Sequence, residues 1–202
     1  IGLLDEAVKI GTKTLVITGG EPFMYKRLFD LATAAKERGM GVNITTNGTL
    51  IDKRWDELVA SGVDSLSFSI DGMSASHDRV RGREGAWAKT IAGLRRVRRE
   101  CPDMATSVYF VVTNQNVDEL TAVYDIAHAH GAQFDFWPVN DAPELFLKSK
   151  TEQEKWKAAV RHIAQRDPEV AQRLAYYEES LDYHAGNHGP VRCLGLIDQY
   201  GV

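Results

Sequence analysis

The sequence predicts an α/β fold of repeated strand–helix units around a parallel sheet, and three observations carry that prediction. First, five short runs rich in β-branched or aromatic residues, TLVIT at 14–18, VNITT at 42–46, SLSFSI at 65–70, TSVYFVVT at 106–113 and QFDFWP at 133–138, read as strands. Second, each interval between them is wide enough for a crossover helix and too wide for a tight hairpin, so the strands are expected to run parallel. Third, apolar residues recur at helical spacing inside the intervals: Leu28, Leu31, Ala32 and Ala35; Trp87, Ile91 and Leu94; Leu120, Val123, Tyr124 and Ala127. Gly39, Gly41, Gly62 and Gly131 fall where each helix should stop before the next strand.

Such a run gives either an open doubly wound sheet or part of a (β/α) barrel, and periodicity does not choose between them. In both, reactive residues belong just past the C-terminal ends of the strands. Residues 3–9 place Leu4, Ala7 and Val8 on one helical face with Gly11 as the stop, so the expected unit begins with a strand and exit loop before residue 1. The 202 residues carry a net charge of −4, which disfavours nucleic acid as a partner, and contain no apolar run long enough for a membrane span. Two cysteines, Cys101 and Cys193, make no disulfide framework, so a reducing compartment, the cytoplasm, is expected.

The strand exits hold the chemistry. Thr18-Gly19-Gly20-Glu21-Pro22 pairs two glycines, which allow close backbone approach, with a carboxylate and a stiffening proline. Carbonyls and a carboxylate form an acceptor ledge suited to an ammonium and wrong for a phosphate, although G-G-E-P alone also reads as a tight turn with a solvated glutamate. The second exit, Thr45-Thr46-Asn47-Gly48-Thr49, carries an N-G that alone is a turn signal. At the third, alternation puts Ser67, Ser69 and Asp71 on one polar face and Phe68 and Ile70 on the other. A loop His77-Asp78-Arg79-Val80-Arg81-Gly82-Arg83 follows, dense in guanidinium groups able to grip a carboxylate.

Together T-G-G-E-P at 18–22, T-N-G-T-L at 46–50, S-I-D-G at 69–72, H-D-R-V-R-G at 77–82 and V-V-T-N at 111–114 resemble the radical S-adenosylmethionine (radical SAM) enzymes over residues 1–140. The resemblance implies a partial (β/α)6-like barrel whose first strand, with a C-x3-C-x2-C loop holding a 4Fe-4S cluster, precedes this chain. It implies that Gly19, Gly20 and Glu21 hold the methionyl ammonium of S-adenosylmethionine. By the same token Ser69 meets the methionyl carboxylate or ribose, Arg81 pairs with the carboxylate, and Thr45 or Thr46, with Asn47 and Asp71 alongside, completes the cofactor rim. Asn114 and residues 136–139 become the adenine neighbours. The implied activity is reductive cleavage of the cofactor to a 5′-deoxyadenosyl radical that abstracts hydrogen from a peptide or small-molecule substrate, with a flavodoxin or ferredoxin as electron donor. Rival readings are a noncatalytic cleft that binds the cofactor without a cluster, and a metal-independent barrel isomerase using Glu21 and Asp71 as acid and base.

Residues 141–202 read as a helical connector. Thr151 to Gln165 and Glu169 to Leu181 are expected helices, the first opened by a capping box of Thr151 and Glu154. Cys193-Leu194-Gly195 resembles the start of a SPASM or twitch extension, implying an auxiliary 4Fe-4S cluster with Cys193 as a ligand. A zinc site from His184, His188 and Cys193 is the weaker alternative, since Gly186, Gly189 and Pro190 oppose the helix it needs. Arg95 to Arg99 reads as the wet side of a helix, and Cys101 as structural.

Overall fold

In the computed structural model, which describes residues 2–184, the chain forms five strands: β1 (Thr14–Ile17), β2 (Gly41–Thr46), β3 (Ser65–Ser69), β4 (Ala105–Val112) and β5 (Gln133–Pro138). They lie in the order β1-β2-β3-β4-β5, and the first three pairs are parallel, with Ile17 beside Ile44, Thr45 beside Ser67 and Ser69 beside Tyr109. This order settles the question that periodicity leaves open. Right-handed crossovers between sequential neighbours put every helix on the same face, as in a barrel wall, whereas a doubly wound sheet reverses its order at a switch point.

Helix α1 (Gly2–Lys9) precedes β1, and helices α2 (Leu28–Lys36), α3 (Trp55–Ala60), α4 (Ser74–Val80), α5 (Ala86–Glu100) and α6 (Leu120–Ala129) occupy the crossovers. Their buried residues include Leu28, Ala32, Ala35, Ile91, Leu94, Val97, Leu120 and Val123, facing the apolar strand positions Ile44, Leu66, Phe68, Val108, Phe110 and Phe136. Burying one such leucine or phenylalanine contributes roughly 2 kcal/mol. The opposite strand face is polar. There Asn43 Nδ2 donates to Ser65 Oγ at 2.7 Å, and Ser107 Oγ donates to the fully buried Ser67 Oγ at 2.9 Å. Hydroxyls in such a position need these partners, since an unpaired buried polar group costs about 1–3 kcal/mol.

The expected loop at residues 77–83 is corrected: Ser74–Val80 is helical, and only the last part of the H-D-R-V-R-G motif is a turn. The chain divides into two compact units, residues 1–112 with 119–137, and residues 113–118 with 138 onward. The second holds α7 (Lys150–Ala164), α8 (Pro168–Gln172) and α9 (Leu174–His184). Its capping box is Ser149 with Glu152, two residues before the expected Thr151 and Glu154, because Ser149 has the extended backbone a cap needs and Thr151 is already inside the helix. The single helix expected over 169–181 is broken at Arg173, and Asp167 caps its first half by accepting from the Glu169 and Val170 amides. Trp156, fully buried in this unit, donates from Nε1 to Tyr177 O at 2.9 Å.

Candidate functional site: the strand-exit rim

At the β1 exit the backbone is left bare. Gly19 has φ of 124°, a left-handed value that favours glycine, and a Cβ built on Gly19 or on Gly20 meets no atom within 4 Å. These glycines are therefore not required by packing. They leave an open stretch of main chain whose carbonyls are accessible from outside.

Glu21 takes a different position from the one expected of it. Its Oε1 accepts from Thr46 Oγ1 at 2.7 Å and from the Phe23 amide at 3.0 Å, and its Oε2 accepts from the Asn47 amide at 2.7 Å. The carboxylate thus ties the β1 exit to the β2 exit and shapes the ledge from behind, leaving the acceptor role in front to the main chain. Thr46 is 2 % exposed, and its Oγ1 also accepts from the Gly48 amide at 3.0 Å. Of the two threonines only the half-buried Thr45 lies on the polar face, while the Thr46 hydroxyl braces Glu21, as strand alternation requires. Asn47 forms an Asx turn, with Oδ1 accepting from the Thr49 amide and hydroxyl. Gly48 serves close packing: a Cβ there would lie 3.0 Å from Thr90 Cγ2 and 3.1 Å from Phe68, as α5 crosses the turn and Thr90 Oγ1 donates to Asn47 O at 2.6 Å.

The β3 exit is built the opposite way. Ser69 is half-buried on the polar face, and among the described residues no hydrogen bond of its hydroxyl occurs. Beyond it most groups are engaged, although among the described residues His77 Nε2 and Trp87 Nε1 are buried without a hydrogen-bond partner. Asp71, 5 % exposed, is ion-paired with Arg81 at 2.5 Å, and its amide donates to Nδ1 of the fully buried His77 at 3.1 Å. The Glu119 carboxylate accepts from the Met73 amide at 2.7 Å and from Ser76 Oγ at 2.5 Å. Asp78 accepts from the Trp87 amide at 2.8 Å and the Gly85 amide at 2.6 Å, fixing the start of α5. Burial, reinforced by the Arg81 charge and opposed by Asp71 and Asp78, holds the His77 imidazole below its ordinary range, so it stays neutral and Nδ1 can accept. Hydrogen bonds from the Trp87 and Gly85 amides hold the Asp78 carboxyl below the usual carboxylate range.

Gly19, Gly20, Thr45 and Ser69 therefore form one open rim, while Glu21, Thr46, Asn47, Asp71 and Arg81 form its supports. Phe136 is 1 % exposed and stacks on Phe134 in the core at 5.5 Å, whereas Trp137 on the other face meets Tyr109 edge to face at 5.2 Å. Asn114 belongs to the second unit, where its side-chain Nδ2 donates to Glu144 O at 2.9 Å. Cys193, His188 and the His184 side chain lie outside the described residues. Sequence reading missed Arg54, which donates to the Phe23, Tyr25 and Lys26 carbonyls and to Glu57, holding the loop that follows the glycines. It also missed Glu119. Neither stands in a local pattern that marks it.

A family match to the radical SAM superfamily extends over residues 1–127. The chain belongs to the radical SAM superfamily. It is 36% identical over 131 residues to an AdoMet-dependent heme synthase of Methanosarcina barkeri, covering 64% of this chain and 37% of the relative. It is 29% identical over 201 residues to a PqqA peptide cyclase of Ruegeria pomeroyi, covering 95% of this chain and 52% of the relative. The chain thus spans about half the length of the peptide cyclase and about a third of the heme synthase. Streptococcus suis SuiB bound to its precursor peptide SuiA shares the fold, with a TM-score of 0.67 at 19% identity over 85% of this chain and 38% of SuiB. The family brings S-adenosylmethionine and a 4Fe-4S cluster with it, and the bare Gly19–Gly20 main chain is a cradle that fits an ammonium, since carbonyl oxygens accept its N–H groups and no side chain stands in the way.

Proposed function

We propose that this chain is the barrel core of a radical SAM enzyme that modifies a peptide. The observation that carries the reading is the open Gly19–Gly20 main chain on the same rim as the hydroxyls of Thr45 and Ser69. The glycine carbonyls would accept from the methionyl ammonium of S-adenosylmethionine, and Ser69 would donate to its carboxylate or ribose. Glu21, held by Thr46, Asn47 and Phe23, would fix the height of that ledge. Arg81, paired with Asp71, would add positive charge near the carboxylate. Bound beside a reduced 4Fe-4S cluster, the cofactor supplies carbon–sulfur cleavage and hydrogen abstraction.

What the protein's residues supply is orientation and exclusion of water. The cluster loop would come from polypeptide before residue 1, the electron from a flavodoxin or ferredoxin, and Cys193 would ligate an auxiliary 4Fe-4S cluster. All of these require a reducing compartment such as the cytoplasm. A peptide is favoured as substrate because the likeness to the peptide cyclase covers 95% of this chain, which takes in the second unit, whereas the likeness to the heme synthase covers 64%. The isomerase alternative loses its acid and base, because Glu21 and Asp71 are both engaged in internal bonds.

The test is anaerobic iron and sulfide reconstitution of the complete polypeptide, followed by chromatography of its products. Stoichiometric 4Fe-4S absorption with formation of 5′-deoxyadenosine and methionine supports the enzyme. Tight S-adenosylmethionine binding with no cluster and no cleavage would instead make it a noncatalytic binding domain.

A further inference from the structure

Beside the rim, and sharing none of Gly19, Gly20, Thr45 or Ser69, the first unit has a cleft of 510 Å³ between the segment after β1 and the segment after β2. Its size falls in the range of ligand sites. Its charge is unbalanced. Lys26, Lys53 and Arg83 line it, are exposed, and form no ion pair among the described residues. Two carboxylates share the lining: Glu57 is ion-paired with Arg54 at 2.6 Å, while Glu21, hydrogen-bonded by Thr46 and the Asn47 amide, keeps its charge, so four cations face two anions. A chain whose net charge is −4 thus gathers an excess of two positive charges at one place. Apolar surface lies among them: Met24 is 75 % exposed, and Leu50 contributes to the wall. Surface repulsion of this kind is tolerated where a ligand of opposite charge relieves it.

We propose that this cleft docks an acidic segment of the peptide substrate, with Asp or Glu side chains over Lys26, Lys53 and Arg83 and an apolar side chain against Met24 and Leu50. The inference rests on the peptide reading above and adds the composition of the peptide and the place where it is held. Lys26 and Lys53 project from the surface and make no side-chain hydrogen bond among the described residues, so charge reversal there leaves the packing intact. The cleft shares Glu21 and Asn47 with the supports of the cofactor ledge, but Lys26 and Lys53 are not among those supports, so recognition of the peptide can be altered through the two lysines alone.

The experiment uses the complete iron-loaded protein and two fluorescein-labelled twelve-residue peptides, one of alternating Glu and Leu and its counterpart with Gln for Glu, with fluorescence anisotropy as the readout. The acidic peptide is expected to bind at least tenfold more tightly than the neutral one, to weaken as salt rises, and to lose that advantage in the Lys26→Glu/Lys53→Glu double variant. S-adenosylmethionine affinity should stay unchanged in that variant. Equal binding of both peptides, or an acidic preference that survives the double reversal, overturns the docking site and leaves the peptide reading standing. Binding of neither peptide, with intact cofactor cleavage, likewise overturns the docking site, whereas loss of cofactor cleavage in the wild type overturns the reading it rests on.

Discussion

The exits of β1 and β3 lie at the same end of one sheet, and both contain glycines and carboxylates, yet they are built on opposite plans. At the β1 exit, Gly19 and Gly20 face empty space and Glu21 is drawn back into a brace. At the β3 exit, a Cβ on Gly72, where φ is 153°, would collide with the Glu119 carboxylate, and Asp71, Arg81, His77 and Asp78 bond to one another or to nearby main chain. A glycine is thus diagnostic of a ligand only where nothing in the protein needs its missing side chain. The locked exit keeps Ser69 in place, and the open one leaves room for what Ser69 faces.

The largest effect is expected at the locked exit. Gly72→Ala must move a Glu119 carboxylate already held by the Met73 amide and Ser76, and must adopt a backbone conformation that alanine resists. A loss of about 3 kcal/mol in urea unfolding is expected. A loss below about 0.5 kcal/mol would show that this exit is as free as the other.

Next comes the support behind the open rim. Arg54→Ala strands three carbonyls of the Phe23–Lys26 segment and removes the cation over Phe29 at 4.6 Å, so about 2 kcal/mol of stability should go. Urea unfolding reads this too, and the loss should be smaller than that at Gly72.

The smallest effect is on pH dependence. Because folding lowers the His77 pKa, the unfolded chain takes up the proton first. The stabilisation is therefore full above the ordinary imidazole value of about 6.5 and declines as pH falls below it. Protonated Nδ1 would also confront the Asp71 amide donor. Between pH 7.5 and 5.5 the wild type should lose more melting temperature than His77→Gln does, each measured against its own value at pH 7.5. Parallel losses would remove His77 from the account of the locked exit.

Much of this was legible in the sequence for a physical reason: strands, helices and polar faces are set by periodicity, which is local. The five strands, the placing of Ser69 and Ser67 on one face and the barrel-or-sheet choice all followed from spacing, and strand order then decided the last. What escaped depends on partners distant in sequence. Glu21 reads as a free acceptor until the β1–β2 register sets Thr46 and Asn47 against it. The His77–Arg81 segment reads as a loop because its breakers, Gly72 and Gly82, bracket a helix of seven residues. Two overlapping capping patterns, Ser149 with Glu152 and Thr151 with Glu154, compete in the sequence, and only backbone geometry selects the first.

The central claim is that the bare Gly19–Gly20 main chain, not the glutamate beside it, receives the cofactor's amino-acid end. Gly20→Val tests it most directly, because Gly20 does not have a positive φ and a Cβ there meets no atom within 4 Å. Calorimetric titration of the complete iron-loaded protein with S-adenosylmethionine should show at least a tenfold loss of affinity in Gly20→Val with an unchanged melting temperature. Affinity equal to that of the wild type would contradict the account.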